Sequence, residues 1–222
     1  MKNQTDDILI EQPISLRVDV CGGIASGKTT FTLLMKRMGF ITLLENFEIN
    51  PFLKEFYLDP FKYAFETEIS FILQHYHQIK KEELYGKINV CDFSFFLDLA
   101  YAEIGLHGTK LEAFRTIHDE IRRDLPPAVL LIHLDCNAEK ELRRIRSRGR
   151  TIEESINLEY LEKLNVTVER QVETARRELK VLTIDSAIKD FANNEITKRE
   201  VIKLVSESLQ DILGKEINTR LS

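Results

Sequence analysis

GGIASGKT, at residues 22–29, is the stretch of sequence that decides the fold. It follows a short apolar run, Leu16–Cys21, and opens a helical pattern over Lys28–Met38. The stretch matches G-x4-G-K-[ST], in which small residues let backbone N–H groups surround a phosphate chain at a helix N-terminus. A glycine-rich turn before a helix is the purely structural alternative. Because motif, strand and helix agree, the context favours a P-loop that binds a nucleoside triphosphate.

The loop also predicts which atoms meet the nucleotide. Lys28 would reach the β- and γ-phosphate oxygens, and the Thr29 hydroxyl would bind Mg²⁺, supported through water by Asp92 or Glu45. The predicted nucleotide-binding residues of the loop are Gly22, Gly23, Ile24, Ala25, Ser26, Gly27, Lys28, Thr29 and Thr30. A GTPase would need an N-K-x-D sequence after a later strand, and the chain contains none. The motif therefore indicates a nucleotide and leaves the reaction open.

Around the loop, strand-like and helix-like segments alternate. Five apolar segments are typical of strands buried on both faces, namely Leu16–Cys21, Phe40–Leu44, Lys87–Cys91, Val129–Leu134 and Lys180–Ile184. Helical patterns cover Lys28–Met38, Pro60–Lys81, Ser94–Ile104, Leu111–Arg123, Glu139–Arg148, Glu159–Glu178 and Lys198–Leu213. This alternation predicts an α/β fold with a five-stranded parallel sheet flanked by helices. In such a fold the ligand lies at the carboxyl ends of the strands.

Composition limits the classes of protein that fit. The 222 residues are expected to form one domain over residues 14–222, after a polar tail at residues 1–13. The net charge of −5 argues against a nucleic-acid polymer as partner, and no apolar run is long enough for a membrane span. The chain has no signal-peptide pattern, and its three cysteines are widely spaced. Both features favour a cytoplasmic location.

A basic segment lies at residues 140–150, where six of the eleven residues are Lys or Arg. Arg144 and Arg148 share a helix face, and Gly149 would end the helix and free Arg150. Guanidinium groups suit the negative charge that spreads over the oxygens of a transferring phosphoryl group. A solvated basic helix is the alternative. Next to a P-loop, the pattern favours an arginine-rich lid over the nucleotide phosphates.

Two acids lie where predicted strands end. Glu45 follows the second strand and Asp92 the third, so both fall on the ligand-binding edge of the sheet. Phosphoryl transfer to a hydroxyl needs a carboxylate that accepts its proton, and Mg²⁺ needs acidic or hydrated support. We expect Glu45 to be the catalytic base and Asp92 to be the acid on the metal side. Ordinary carboxylates at strand-to-loop junctions are the alternative for both.

Longer stretches of the chain resemble the deoxynucleoside kinase family, in particular its bacterial deoxyadenosine and deoxyguanosine kinases. They read GGIASGKTT, LLENFEINPFLKEFYLDPFKYAF, CDFSFFLDLAYA and RIRSRGRTIEESINLEYLEKLN, and the resemblance covers roughly residues 15–210. It implies a P-loop kinase fold and ATP-dependent 5′-phosphorylation of a deoxynucleoside in nucleotide salvage, with ATP and Mg²⁺ as cofactors. It also implies a homodimer, which the sequence alone does not show.

The resemblance assigns roles to the residues that would hold the deoxynucleoside. Glu45 matches the carboxylate that deprotonates the sugar 5′-hydroxyl. Tyr57 and Glu153 match the pair that holds the 3′-hydroxyl, and Asp98 matches an acid that helps to read the base. By themselves, Tyr57 would be read as a core or interface aromatic residue and Glu153 as a solvated loop acid.

The resemblance also assigns roles around the ATP. Arg144, Arg148 and Arg150 match the lid arginines that close on its phosphates, and Arg148 joins Lys28 among the catalytic candidates. Residues 185–191 resemble a segment that lies near the adenine of ATP.

Three positions depart from the family pattern. Glu68 stands where many members have a glutamine that contacts the base, and His75 stands where an arginine is usual. Both lie on one face of the predicted helix Pro60–Lys81, so both would line one pocket. Phe93 replaces the arginine of the family's D-R-S motif. That arginine normally lies near the transferred phosphate, and Arg146 is a candidate to replace it.

These residues bear on the choice of base. An ionised Glu68 only accepts hydrogen bonds, which suits the N1–H and N2 amine of guanine, or an amine on adenine or cytosine. Together with Asp98, it favours purine deoxynucleosides. Two alternatives remain, a kinase for another small acceptor such as a nucleoside monophosphate, and a nucleotide-binding regulatory module with weak catalysis. The second rests on the arginine lost at Phe93.

Overall fold

A computed structural model describes residues 16–81 and 88–221 of the chain. The predicted tail at residues 1–13 and the first residue of the predicted third strand, residue 87, lie outside the described residues. Five parallel strands form one sheet in the order β2-β3-β1-β4-β5. The strands are β1 Leu16–Cys21, β2 Ile41–Leu43, β3 Ile88–Cys91, β4 Ala128–Asp135 and β5 Lys180–Asp185. The predicted parallel α/β sheet is confirmed, with strand ends shifted by one residue at most.

Helices connect the strands. They are α1 Lys28–Arg37, α2 Leu53–Leu58, α3 Pro60–Lys81, α4 Phe95–Gly105, α5 Gly108–Asp124, α6 Ala138–Arg148, α7 Leu158–Ala175 and α8 Glu195–Leu221. Short 3-10 turns cover Phe47–Ile49 and Thr151–Glu153. The sequence did not predict α2, because six residues are fewer than two turns and show no helical period. Among the helices of the described ranges, none combines the length and the apolarity that a bilayer crossing requires.

Both faces of the sheet are buried, which explains why a strand such as β4 is apolar over most of its length. All six residues of β1 are buried. Val18 and Val20 pack with Phe31 of α1 and Val205 of α8 in one cluster. On the opposite face, Cys21 belongs to a second cluster with α4 and α7. The two charged residues of β1, Arg17 and Asp19, are buried as well, and Arg17 Nε lies 2.9 Å from Asp19 Oδ1. Because a strand covered on both faces has no solvated side, its charged residues need partners inside the protein.

The register of the strands brings the candidate site together. Leu43 of β2 is paired with Cys91 of β3, and the backbone N–H of Asp92 donates to the Leu43 carbonyl at 2.8 Å. The segments that follow β2 and β3 therefore leave the sheet side by side, next to the P-loop that follows β1. On the other side, β4 and β5 end together at Asp135 and Asp185. All five strand ends thus face the same region.

Candidate active site

The P-loop is shaped by residues that accept unusual backbone angles. Gly22 has a φ of 149°, and a Cβ at this position would lie 2.6 Å from the carbonyl oxygen of Leu134. Gly27 immediately precedes α1 with a φ of 110°. Ala25, which is not a glycine, is held at a φ of 61°. Strained backbone of this kind is found where a loop is preformed around a ligand.

Lys28 closes the loop on itself. Its Nζ donates to the carbonyl oxygens of Gly22 at 2.9 Å and Gly23 at 3.0 Å. The ammonium group is therefore positioned inside the loop, where it lines the cavity together with Thr29. Lys28 is thus the first residue of α1, and its ammonium group is held by carbonyl oxygens of the loop.

The Thr29 hydroxyl and Asp92 form the second polar contact at the loop. Thr29 Oγ1 donates to Asp92 Oδ2 at 2.7 Å. Burial raises the pKa of Asp92 to about 7, against the opposing effects of Lys28 and Thr29. The other oxygen, Oδ1, is buried and has no hydrogen-bond partner among the described residues. A hydroxyl and a buried carboxylate with an unpartnered oxygen are donors that suit Mg²⁺ and its bound water.

Glu45 lies between the P-loop and a pocket of acidic residues. His75 Nε2 is 3.3 Å from Glu45 Oε1, and His75 Nδ1 is 3.0 Å from Asp98 Oδ2. Burial alone would lower the pKa of His75, but the carboxylates of Asp98 and Glu45 raise it to about 10. Burial likewise opposes the ionisation of Glu45, yet His75 and Lys28 hold the pKa of Glu45 below its ordinary value. Glu45 is therefore an ionised carboxylate at neutral pH.

Aromatic packing holds the ring of His75 in place. The His75 ring stacks on Phe93, with centroids 3.9 Å apart and an angle of 4° between the planes. Phe93 is fully buried. It therefore offers a packed apolar ring at the position where the family resemblance places an arginine. Glu68 lies two helical turns before His75 on α3 and is 6% exposed. We call the group formed by Glu45, Glu68, His75 and Asp98 the acidic cluster.

Arg144 is anchored by backbone oxygens. Its guanidinium donates to the carbonyls of Ala25 at 3.0 Å, Ser26 at 3.1 Å and Ser186 at 2.6 Å. The structure therefore ties this arginine to the P-loop and to the segment after β5. These hydrogen bonds stabilise the conformation of the loop, and Arg144 also lines the cavity.

Arg148 and Arg150 converge on one carboxylate. Arg148 makes a two-pronged contact with Glu153, at 2.7 Å and 2.6 Å, and Arg150 donates to Glu153 at 3.3 Å. Gly149, with a φ of 61°, ends α6 as predicted and allows this turn. Arg146 points elsewhere, donating to two backbone carbonyls at residues 154 and 156. It therefore holds the chain after α6.

A single cavity of about 740 Å³ joins these parts. It is lined by the P-loop, the arginines at residues 144, 148 and 150, Glu45, Tyr57, Glu68, Asp98 and Glu153. Residues 186–193 line its far end, where Phe191 lies against Gly27. The cavity is basic at one end and acidic at the other, which suits a nucleotide polyphosphate beside a neutral second substrate.

Comparison with known proteins identifies the family. The deoxynucleoside kinase family model matches residues 18–210, which is most of the chain. The chain belongs to the deoxynucleoside kinase family. The resemblance stated from the sequence is thereby confirmed, together with ATP-dependent phosphorylation of deoxynucleosides as its activity.

Relatives and solved structures agree with the family match. The chain is 31% identical over 194 residues to the deoxyguanosine kinase of Bacillus subtilis, covering 84% of this chain and 94% of the relative. It is 29% identical to the deoxyadenosine kinase of Dictyostelium discoideum, covering 87% and 80%. The structure of deoxyadenosine kinase from M. mycoides with bound dCTP superposes with a TM-score of 0.73 at 20% identity, covering 87% of this chain and 100% of the other. This last likeness concerns the fold.

Within this deoxynucleoside kinase, sequence reasoning missed several aromatic residues of the pocket. Phe71, Tyr101 and Tyr160 line the cavity beside Glu68. Phe71 had a usable signal, since it lies three residues after Glu68 on the same helix face. Tyr101 had the same signal, since it lies three residues after Asp98 on one helix. Tyr160 had none, because it comes from α7, and only the packing of α7 against α4 brings it to the cavity.

Proposed function

We propose that this kinase transfers the γ-phosphoryl group of ATP to the 5′-hydroxyl of a purine deoxynucleoside. The observation that carries the proposal is the position of Glu45. Its carboxylate lines the same cavity as the P-loop lysine, Lys28, and the other two acids of the acidic cluster, Glu68 and Asp98. A hydroxyl held there would have a proton acceptor on one side and a phosphate chain on the other.

The donor end suits the phosphates of ATP. The P-loop would bind them through its backbone N–H groups and Lys28, and Arg148 would neutralise the charge of the transferring group. Thr29 and Asp92 would hold Mg²⁺, since they offer a hydroxyl and a buried carboxylate that lacks a second partner. The ion would supply positive charge next to the phosphate oxygens.

Glu45 would accept the proton of the 5′-hydroxyl. Its carboxylate is kept ionised by His75 and Lys28, so it is in the correct state at neutral pH. The contact with His75 also restrains the side chain, and a base that is held in place needs less reorganisation in the reaction.

Glu153 connects the sugar site to the lid. By the family resemblance, Glu153 and Tyr57 would bind the 3′-hydroxyl of the sugar. In the structure, the Glu153 carboxylate forms ion pairs with Arg148 and Arg150. A deoxynucleoside held by Glu153 would therefore be linked through one carboxylate to the arginines that contact the phosphates. This arrangement supports a kinase in which both substrates close the lid.

Assembly, location and domain organisation complete the proposal. The family resemblance supports a homodimer in the cytoplasm that acts on a small deoxynucleoside. Residues 14–222 would form one domain, and the single sheet with a core on each face supports this.

A coupled ADP-release assay with Mg·ATP tests the proposal. It would use the four deoxynucleosides and the matching ribonucleosides. We expect turnover with deoxyguanosine or deoxyadenosine and weaker turnover with the ribonucleosides. ATP binding without turnover by any of them would instead support the regulatory module, and turnover with nucleoside monophosphates alone would support the other acceptor class.

A further inference from the structure

We propose that Glu68 hydrogen-bonds to the base as a neutral carboxylic acid, a form that accepts either adenine or guanine. When Glu68 loses its proton, the pocket accepts guanine and disfavours adenine. The proposal rests on the proposed function, because it concerns how that site selects its substrate. The sequence alone suggested an ionised carboxylate that only accepts hydrogen bonds. The surroundings of Glu68 favour the protonated, neutral form instead.

Glu68 is a buried acid that faces the cavity. It lies on α3, lines the cavity, and makes no hydrogen bond with any residue of the described ranges. The titratable groups that face it are Asp98 and Tyr101 from α4, Glu45 beyond β2, Tyr160 from α7, and His75 of its own helix. Only one member of this group is a cation.

That cation is already engaged. His75 Nδ1 is hydrogen-bonded to Asp98 Oδ2 at 3.0 Å, and Nε2 lies 3.3 Å from Glu45 Oε1, within ion-pair distance. The stack on Phe93 also restrains the plane of the ring. One positive charge therefore serves two carboxylates, and the third carboxyl group has no counter-ion of its own.

The electrostatic balance follows from this arrangement. Burial raises the pKa of Glu68 well above its ordinary value, and the charges of Asp98 and Glu45 raise it further. His75 opposes them only in part. In the unliganded pocket, the neutral acid is the favoured form of Glu68.

The two forms of Glu68 recognise different edges of a base. A carboxylic acid offers one donor and one acceptor, so it pairs with N1 and the N6 amine of adenine, or with O6 and N1–H of guanine. A carboxylate offers two acceptors, and among the purines only guanine presents two adjacent donors, N1–H and the N2 amine. Against adenine, the carboxylate would face the N1 lone pair without a proton between them, which is unfavourable.

The experiment measures the ratio of kcat/KM for deoxyadenosine to kcat/KM for deoxyguanosine between about pH 6 and pH 8.5. The ionisation of Glu45 and the state of the ATP site affect both substrates equally, so they cancel in the ratio. For the unmodified chain we expect the ratio to fall by about tenfold or more as the pH rises. In Glu68→Gln the ratio should be independent of pH, because the amide keeps one donor and one acceptor throughout. The matched control is Glu66→Gln, an exposed acid two residues earlier on α3, which should follow the unmodified chain.

A ratio that does not change with pH in the unmodified chain would overturn the proposal, and so would the same pH dependence in Glu68→Gln. Thermal unfolding of the unliganded protein gives a readout that needs no activity. Because the folded state holds the proton of Glu68, Glu68→Gln should gain in Tm relative to the unmodified chain as the pH rises over the same range. A constant Tm difference would reject the neutral acid. Absence of turnover with every deoxynucleoside would reject the proposed function, while the unfolding experiment would still decide the protonation of Glu68.

Discussion

The two ends of the cavity are built in opposite ways. At the basic end, cationic side chains are held by backbone carbonyls, as Lys28 is by Gly22 and Gly23 and Arg144 is by Ala25. At the acidic end, acidic side chains from separate elements surround one histidine. A triphosphate would be attracted to the basic end and repelled by the acidic end, whereas a neutral nucleoside has no such penalty at the acidic end. In the proposed function, this contrast in charge would orient the two substrates before any specific contact forms.

The largest effect is expected for Glu45→Gln, because Glu45 lies where the basic end of the cavity meets the acidic end. Without a carboxylate to accept the hydroxyl proton, kcat should fall by about 10² to 10⁴. The Kd for ATP should change little, because the P-loop is intact. ADP release and equilibrium ATP binding would be measured beside Glu48→Gln, an exposed acid nearby. Turnover close to that of the control would remove Glu45 from the role of base.

Removing Lys28, a cation at the basic end of the cavity, should have the next largest effect on activity. In Lys28→Ala the phosphate oxygens lose a preorganised donor, so kcat/KM for ATP should fall by about 10² to 10³. Lys36→Ala, which removes an exposed lysine from the same helix, should retain normal kinetics. Equal effects of the two substitutions would mean that Lys28 acts only through the general charge of the loop.

A smaller effect is expected where the two ends are joined. Tyr57→Phe removes one hydroxyl that we assign to the sugar, and a lost hydrogen bond of this kind costs about 1 kcal/mol, or about fivefold in KM for the deoxynucleoside. The KM for ATP should not change. The neighbouring aromatic residue Phe56 offers a control, since Phe56→Leu alters the packing without touching a hydroxyl. A rise in both KM values for Tyr57→Phe would indicate a structural role.

The smallest effect concerns stability. The pKa of Asp92 is raised to about 7 by burial, so the folded chain holds a proton that the unfolded chain releases near pH 4. The unmodified protein should therefore lose stability as the pH rises from about 4 to 7. Asp92→Asn has no such proton, so its Tm relative to the unmodified chain should rise across this window and level off above it. Thermal unfolding without Mg²⁺ or nucleotide would measure this. A difference that shrinks with pH would contradict the raised pKa.

Much of the fold could be predicted because it depends on local pattern. The strand β1 and the long helix α3 have the bounds that the sequence indicated, since buried parallel strands and amphipathic helices each leave a period in the sequence. The helix α2 left no such period. The positions of Glu45 and Asp92 at one edge also followed, because parallel strands present their carboxyl ends on the same side.

Side-chain partners were harder to predict. Arg144 was expected among the lid arginines, and its three carbonyl partners come from two segments that are far apart in sequence. The contact between His75 and Asp98 joins residues on different helices. The absence of an arginine at Phe93 was visible, but the sequence did not show that the space is filled by a stack with His75.

By itself, the sequence determined the P-loop motif, the parallel sheet and the family. These follow from contiguous motifs and from periods of two to four residues, which are set by the geometry of the backbone. Only the tertiary structure decided which carboxyl groups share the charge of His75 and which one is left without a counter-ion. The reason is that burial and electrostatic interaction depend on distances between elements, and α3, α4 and the end of β2 meet only when the chain has folded.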